Sequence, residues 1–148
     1  MTLESEVQSL RQVPMFRDID PARLKLLAFT SERVQYSGGQ RFFSQGDASD
    51  AAYLILDGSA HVLLDTPGGE IKVAELGGNA LVGEMGILSE SPRSATIMAA
   101  EQTTALRIDK RVFLELLAQF PQIALAVMRE LADRLERTNA QLVAQAKS

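Results

Sequence analysis

The chain has 148 residues and a formal net charge of -4, with 15 Lys and Arg against 19 Asp and Glu, no cysteine and one histidine. The missing cysteines exclude disulfides, iron–sulfur clusters and thiolate zinc sites, and a single histidine excludes a two-histidine metal centre. The mild acidity argues against broad electrostatic binding of nucleic acid, which needs a basic face. Apolar runs fall well short of the ~20 residues of a membrane span, and the N-terminus lacks a signal-peptide core, so we expect one cytoplasmic domain with no membrane segment.

Residues 1–31 have the spacing of helices. Apolar residues recur at helical intervals until Pro14 breaks the run. Asp20 and Pro21 then combine an N-cap with a proline at the first helical position, which marks the start of a second helix. The buried face of this second helix is predicted to consist of Leu24, Leu26, Leu27 and Phe29.

Residues 32–109 consist of short apolar segments separated by glycine-rich turns. The turns are predicted at residues 37–39, 45–47, 57–58, 66–69 and 76–79. Short strands at close spacing indicate an antiparallel sandwich or a small barrel. A Rossmann-type sheet is disfavoured because no strand alternates with a long helix.

Helical patterns return over residues 110–148. Residues 111–119 form a short amphipathic segment, and Pro121 opens a much longer helix. The longer helix has a seam with steps of four and three residues, formed by Ala124, Met128, Leu131, Leu135, Thr138 and Leu142. Such a seam either forms a coiled coil, in which Thr138 could set the register, or covers the sheet of its own domain. We favour a homodimer, because the apolar stripe runs past the length that one small domain needs.

The segment 81–96, with the sequence LVGEMGILSESPRSAT, carries most of the chemical information. Gly83 and Gly86 let the backbone approach a ligand and expose its N–H groups. Glu84 accepts hydrogen bonds and suits a sugar hydroxyl, whereas the planar fork of Arg93 suits phosphate oxygens. A carboxylate and a guanidinium in one loop therefore predict a site for a nucleotide sugar-phosphate.

This segment resembles the signature of the cyclic nucleotide-binding domain family, which includes catabolite activator protein-type regulators and protein kinase A regulatory subunits. The matching residues are Gly83-Glu84, Gly86 and Pro92-Arg93-Ser94-Ala95-Thr96, and upstream Gly46-Asp47 and residues 54–58. The resemblance covers residues 14–142. It implies an α+β fold: an eight-stranded antiparallel β-roll, jelly-roll-like, with N-terminal helices and C-terminal hinge and lid helices.

The resemblance divides the single domain, 1–148, into three parts. An N-terminal helical unit would occupy residues 1–31, and the β-roll would occupy residues 32–109 and contain a phosphate-binding loop at 82–96. The hinge and lid or dimer helices would occupy residues 110–148.

The resemblance also implies roles for single residues. Glu84, with the Gly83 amide, would hold the ribose 2′-hydroxyl. Arg93 would pair with the cyclic phosphate, helped by the Ser94 and Ala95 amides or the Ser94 hydroxyl.

Further roles concern the helices on either side of the ligand. Met85 and Gly86 would line the short helical turn over the sugar. Thr138 would contact the base, either within its own chain or across a dimer seam, with Asn139 as the weaker candidate. Val82 departs from the family, which often has phenylalanine there.

The function implied is a regulatory sensor for a cyclic purine nucleotide, cAMP before cGMP, which converts binding into movement of the C-terminal helices. The alternative is a nucleotide-independent dimerisation or interaction module with the same fold and an empty pocket. No helix-turn-helix unit follows the long helix, so we expect no nucleic acid binding by this chain alone.

Catalysis, metals and cofactors are not expected. The lone histidine, His61, has no cysteine partner, and the Gly-x-Ser-x-Gly motif of serine hydrolases is missing. A cupin-like metalloenzyme would share the β architecture but needs several histidines.

Overall fold

The computed structural model describes residues 2–147, so Met1 and Ser148, the outermost residues of the predicted domain, lie outside the described residues. The helices are α1 (Leu3–Gln12), a 3-10 helix (Pro14–Phe16), α2 (Pro21–Thr30), α3 (Glu84–Leu88), α4 (Lys110–Gln119) and α5 (Pro121–Lys147). The strands are β1 (Glu32–Tyr36), β2 (Arg41–Phe43), β3 (Ala51–Asp57), β4 (Ala60–Thr66), β5 (Gly69–Leu76), β6 (Leu81–Val82), β7 (Thr96–Ala99) and β8 (Thr103–Asp109).

The described strands form two four-stranded sheets. Their orders are β1-β8-β3-β6 and β2-β7-β4-β5, and every pair of neighbours is antiparallel. The predicted α+β fold with an eight-stranded antiparallel β-roll is confirmed, and it is an open sandwich and not a closed barrel. Strand β6, which the sequence reading did not single out, pairs with β3 at Tyr53 and Leu54.

Two apolar cores hold the layers together. The first lies between the β1-β8-β3-β6 sheet and the helices, where Phe16 and Phe113 are fully buried and meet edge to face with centroids 6.4 Å apart. The second lies between the two sheets and includes Phe42, Tyr53 and Ile97. The segment 81–96 adjoins the second core, so the sandwich fixes the loop that the sequence singled out.

The prediction for the buried face of α2 was wrong at two positions. Leu26 is 57% exposed and Phe29 is 77% exposed. Buried Leu24, Leu27 and Ala28 follow the i, i+3, i+4 rule and form one stripe. At about 100° per residue, Leu26 and Phe29 fall outside that stripe.

Helix α5 leaves the body of the protein after its second turn. Ile123 is fully buried and Val127 nearly so, but every described side chain from Met128 to Ala146 is exposed. The apolar seam therefore does not cover the sheet of its own domain, and that alternative is wrong. The seam residues Leu135 and Leu142 are exposed instead.

No single helix in residues 2–147 is both long and apolar enough to cross a membrane. Helices α4 and α5 meet the length and composition test only when taken together, and they are bent by 103°. Over the same residues, His, Asp and Glu side chains form no group of three or more that could hold a metal ion.

The turn at Gly58 requires a residue without a side chain. Gly58 and Gly39 have φ values of 100° and 89°. A Cβ at Gly58 would lie 2.7 Å from the Gln102 carbonyl oxygen and 2.8 Å from the Thr103 Cα, whereas a Cβ at Gly39 meets nothing within 4 Å. Substitution at Gly39 thus adds only backbone strain, whereas substitution at Gly58 adds the same strain and a steric overlap with the backbone of residues 102 and 103.

We expect Gly39→Ala to lower the free energy of unfolding by about 1–2 kcal/mol, the cost of left-handed backbone. Gly58→Ala should cost about 1–3 kcal/mol more, because the overlapped backbone must shift. Urea unfolding of both variants measures the difference, and equal losses would contradict the overlap.

Candidate functional site

A cavity of about 250 Å³ lies between the α3 segment and the inner face of the β2-β7-β4-β5 sheet. Its walls are Phe43, Val62, Leu76, Leu81, Val82, Gly83, Glu84, Met85, Gly86, Arg93, Ser94, Ala95 and Ile97. Seven of the nine residues that the sequence analysis singled out for the ligand are among them. The remaining two, Thr138 and Asn139, do not line this cavity.

A larger groove of about 750 Å³ runs along the outside of α4 and contains none of the residues predicted for the ligand. Three cationic and three anionic side chains line it: Arg107, Lys110, Arg111, Asp50, Asp109 and Glu115. Their charges balance, so the groove does not select an anion. We therefore place the candidate site in the smaller cavity.

Gly83 brings the backbone against the arginine of the cavity. It precedes α3 with a φ of 85°, in the left-handed region. A Cβ there would lie 2.6 Å from Arg93 Nη1 and 3.2 Å from the Ala51 carbonyl oxygen. The position therefore requires glycine for two separate reasons, its conformation and its contact with Arg93.

Gly86 meets a different neighbour. A Cβ on Gly86 would overlap the hydroxyl of Ser49. That hydroxyl donates a hydrogen bond of 2.7 Å to the Ser91 carbonyl. Ser49, which the sequence reading missed, thus holds the loop that follows α3.

The backbone around Arg93 is held by the loop between β2 and β3. The Arg93 amide donates to the Asp47 carbonyl at 2.8 Å, and the Gly46 amide donates to the Arg93 carbonyl at 2.8 Å. The resemblance included Gly46-Asp47 only as a turn. In the structure this turn fixes the backbone position of Arg93.

The guanidinium of Arg93 points into the protein, with only 2% of its side chain exposed. Its Nη1 donates to the Gly83 carbonyl at 2.8 Å, and its Nη2 donates to the Ala51 carbonyl at 2.5 Å. Asp50 Oδ1 lies 3.5 Å from Nη2 and supplies the neighbouring carboxylate. The guanidinium thus donates to two backbone carbonyls and lies beside one exposed carboxylate.

Arg93 Nε is buried and has no hydrogen-bond partner among the described residues. The carbon of the guanidinium also lies 3.9 Å from the centre of the Phe43 ring. Burial lowers the pKa of Arg93, and the nearby Tyr53 and Asp50 oppose that change. An arginine keeps its charge even so, so the cavity contains a cation with one unused donor.

Two further donors lie next to Arg93. No hydrogen bond joins the Ser94 or Ala95 amide to another residue in the described part of the chain. Both residues line the cavity. A single anion in the cavity could therefore meet both the guanidinium and backbone N–H groups.

Glu84 occupies the first position of α3, on the other side of the cavity. Burial raises the pKa of Glu84, and the nearby carboxylate of Glu130 adds to this. Its own backbone amide, Arg134 and Arg93 act in the opposite direction. Glu130 and Arg134, which form an i, i+4 ion pair of 3.2 Å on α5, thus act electrostatically on Glu84.

Thr138 and Asn139 lie farther along α5. Both side chains are exposed, and the Thr138 hydroxyl donates to the Arg134 carbonyl of its own helix at 3.0 Å. Neither side chain touches the cavity in this single chain. Their contact with a base stays a prediction.

The comparisons with known proteins agree with one another. Residues 33–120 match the family model of the cyclic nucleotide-binding domain. Lysophospholipase nte1 of Aspergillus fumigatus is 35% identical over 116 residues, which are 78% of this chain and 8% of that protein. The cyclic AMP receptor protein of Thermus thermophilus is 32% identical over 130 residues, which are 87% of this chain and 60% of that protein.

Structural similarity extends over the same region. The crystal structure of Thermus thermophilus catabolite activator protein superposes with a TM-score of 0.79 and 32% identity, covering 90% of this chain and 63% of that one. The chain therefore spans less than two thirds of each of these three proteins.

The raised pKa of Glu84 predicts a gain in stability when its charge is removed. Between the ordinary value of 4.5 and the higher folded value, the folded state binds more protons than the unfolded state, so stability falls as the pH rises through that window. Glu84→Gln should therefore raise the free energy of unfolding at pH 7. This advantage should vanish below the window, where Glu84 is protonated in both states.

Urea unfolding of the free protein at several pH values measures this effect. Glu136→Gln is the control for the loss of one negative charge, because it removes an exposed carboxylate of α5. A Glu84→Gln variant that is less stable than the wild type at pH 7 would contradict the cost assigned to burial.

Proposed function

The chain belongs to the cyclic nucleotide-binding domain family and is a regulatory domain of that kind, and from this premise we propose that its ligand is cAMP, with cGMP as the second candidate. The observation that carries the proposal is Arg93, a buried cation at the wall of a cavity, whose Nε has no hydrogen-bond partner within residues 2–147. An unpaired buried donor costs free energy. A bound phosphate would remove that cost.

The charges of the site suit a cyclic nucleotide better than a polyphosphate. A cyclic phosphate carries one negative charge, and the site offers one guanidinium with the Ser94 and Ala95 amides. Glu84 on the opposite side would repel a second phosphate but accepts a hydrogen bond from a ribose hydroxyl. The same arrangement explains how a chain with a net charge of -4 can bind an anion.

The preference for cAMP over cGMP rests on the contacts expected at the nucleotide base. The Thermus thermophilus relative is named a cyclic AMP receptor protein. Thr138, with Asn139 beside it, is our candidate for contact with the base, and Ser94 follows Arg93 as the resemblance expects. Met85 and Gly86 would cover the sugar.

Binding would be transmitted to the C-terminal helices through Asp50. Its carboxylate lies 3.5 Å from Arg93 Nη2, and its backbone carbonyl accepts a hydrogen bond of 2.9 Å from the Lys110 amide, where α4 begins. A phosphate that engages Arg93 competes with Asp50 for that cation. The conformations of α4 and α5 that are compatible with a phosphate on Arg93 would then become more populated.

We further propose that α5 pairs with α5 of a second copy. Its exposed seam leaves Met128, Leu131, Leu135 and Leu142 without apolar cover in the described chain. Pairing would bury this stripe and bring a second Thr138 near the seam. In such a dimer Thr138 could both set the register and face a base.

The competing proposal is an interaction module with the same fold and an empty pocket. Its supporting observation is the same apolar seam, which needs no nucleotide to form a dimer. The match to the fungal lysophospholipase covers 8% of that protein and therefore carries no argument for lysophospholipase activity in this chain. We retain a binding role without catalysis, and a cytoplasmic location, as proposals.

Isothermal titration with cAMP and with cGMP tests the ligand. Arg93→Ala should weaken cAMP binding by at least about 1.5–3 kcal/mol, roughly 10- to 100-fold, because it removes a charge-assisted contact. Arg93→Lys should retain part of the affinity because it keeps the charge. Arg41→Ala, an arginine paired with Glu70 outside the cavity, is the control and should bind as the wild type does.

Since Arg93 also holds the backbone, each variant is checked by circular dichroism and urea unfolding. Normal affinity in a folded Arg93→Ala protein would mean that the phosphate lies elsewhere. A wild-type protein that gives no heat with either nucleotide at high micromolar concentration would refute the ligand proposal. If that protein is also a tight dimer, the interaction module is favoured.

Sedimentation velocity tests the dimer. Leu135→Glu should shift the protein to a monomer, because charges would face each other in the seam. Leu26→Glu on α2 is the matched control, since Leu26 is 57% exposed and Leu135 is 62% exposed. A wild-type monomer at tens of micromolar, or dissociation by both variants alike, would contradict the pairing of α5.

A further inference from the structure

We propose that Phe43 is a positioning residue: its ring supports the guanidinium plane of Arg93 and aims the unused Nε at the phosphate. This inference rests on the proposed binding of a cyclic nucleotide. No motif marks Phe43 in the sequence, and the segment 81–96 lies far along the chain from it.

The contact is close and largely shielded from water. The central carbon of the guanidinium lies 3.9 Å from the centre of the Phe43 ring, and only 2% of the Arg93 side chain is exposed. A cation over the face of an aromatic ring is attracted by the ring quadrupole, more strongly when it is desolvated. Phe43 also lines the cavity, so the ring and the candidate phosphate site share one wall.

The ring supplies a restraint that the hydrogen bonds do not. The Gly83 and Ala51 carbonyls bind Nη1 and Nη2, and both bonds act in the plane of the guanidinium. A planar group held at two corners can still tilt about the line that joins them. Because the guanidinium carbon lies over the face of the ring at 3.9 Å, the ring blocks movement of the group toward it, and we infer that this contact restrains the direction of Nε.

An irregularity in β2 explains why Phe43 can reach Arg93. Arg41 pairs with Met98 and Phe43 pairs with Ile97, so two steps along β2 oppose one step along β7. In a regular strand Phe43 would share a face with Arg41, which pairs with Glu70 outside the cavity. The extra residue, Phe42, turns the strand so that Phe43 also faces inward, which is what a β-bulge does.

The neighbours of Phe43 restrict its ring in turn. Its centroid lies 5.8 Å from that of Tyr53, at an angle of 44°. Phe42 contacts the same tyrosine at 5.5 Å and stacks on Tyr36 at 4.2 Å. The Phe43 ring is therefore one member of a packed aromatic cluster and not a mobile side chain.

The test separates the charge of the ring face from its size. Phenylalanines with one, two and three ring fluorines at position 43 keep the shape nearly constant and progressively weaken the negative face. We expect the affinity for cAMP to fall with each fluorine, by about 2- to 5-fold over the series, because the contact already exists in the free protein and only the positioning of Arg93 is lost. The same series at position 42 is the matched control and should give no trend, because Phe42 touches Tyr36 and Tyr53 but not Arg93.

A second measurement uses the free protein. In the nuclear magnetic resonance spectrum, the ring current of Phe43 should shift the Arg93 Nε–H resonance. Phe43→Leu should abolish that shift, whereas Phe43→Trp should retain one of the same sign. A resonance unmoved by Phe43→Leu would overturn the stacking whether or not any nucleotide binds.

The failures of the two proposals are distinguishable. If the wild type binds cAMP and the series at position 43 is flat, Phe43 only fills space and the inference is wrong while the ligand proposal stands. If the wild type binds neither cAMP nor cGMP, the ligand proposal fails and the positioning role fails with it.

Discussion

The burial of one positive charge governs the arrangement of this site. Arg93 is almost completely removed from water, and a cation in that position needs compensation from the protein around it. Two backbone carbonyls, one carboxylate and the face of one ring supply it, yet no residue in the described part of the chain accepts a hydrogen bond from Nε. The protein thus stabilises the arginine well enough to keep it in place and leaves one donor for a ligand.

Each element of that compensation depends on the fold. Gly83 can bring its carbonyl to Arg93 only because it adopts a left-handed conformation without a side chain. Asp50 and Ala51 stand at the start of β3, whose pairing with β8 and β6 fixes their position. Phe43 reaches the cavity through the irregular pairing of β2 with β7. The site is therefore a property of the sandwich as a whole and not of one loop.

The sequence allowed the class of fold and most of the cavity wall to be predicted, because the signature lies within one continuous segment. Gly83, Glu84 and Arg93 lie within eleven residues of the chain, and their chemistry can be inferred without a structure. Phe43 lies far from that segment along the chain, and its contact with Arg93 depends on a bulge that no pattern of residues reveals. Leu26 was placed in the core because apolar character alone does not show which part of a short helix meets the sheet.

Helix α5 has one further consequence. From Met128 every described side chain is exposed, and the helix continues for twenty residues to Lys147, which at 1.5 Å per residue is about 30 Å. Near the start of this stretch, Glu130 and Arg134 act electrostatically on the Glu84 carboxylate. A rigid rod of this length is a lever: a rotation of about 10° at the base displaces its tip by about 5 Å. Motions near the cavity too small to disturb the sandwich would thus become displacements as large as a helical turn, at a distance from the ligand.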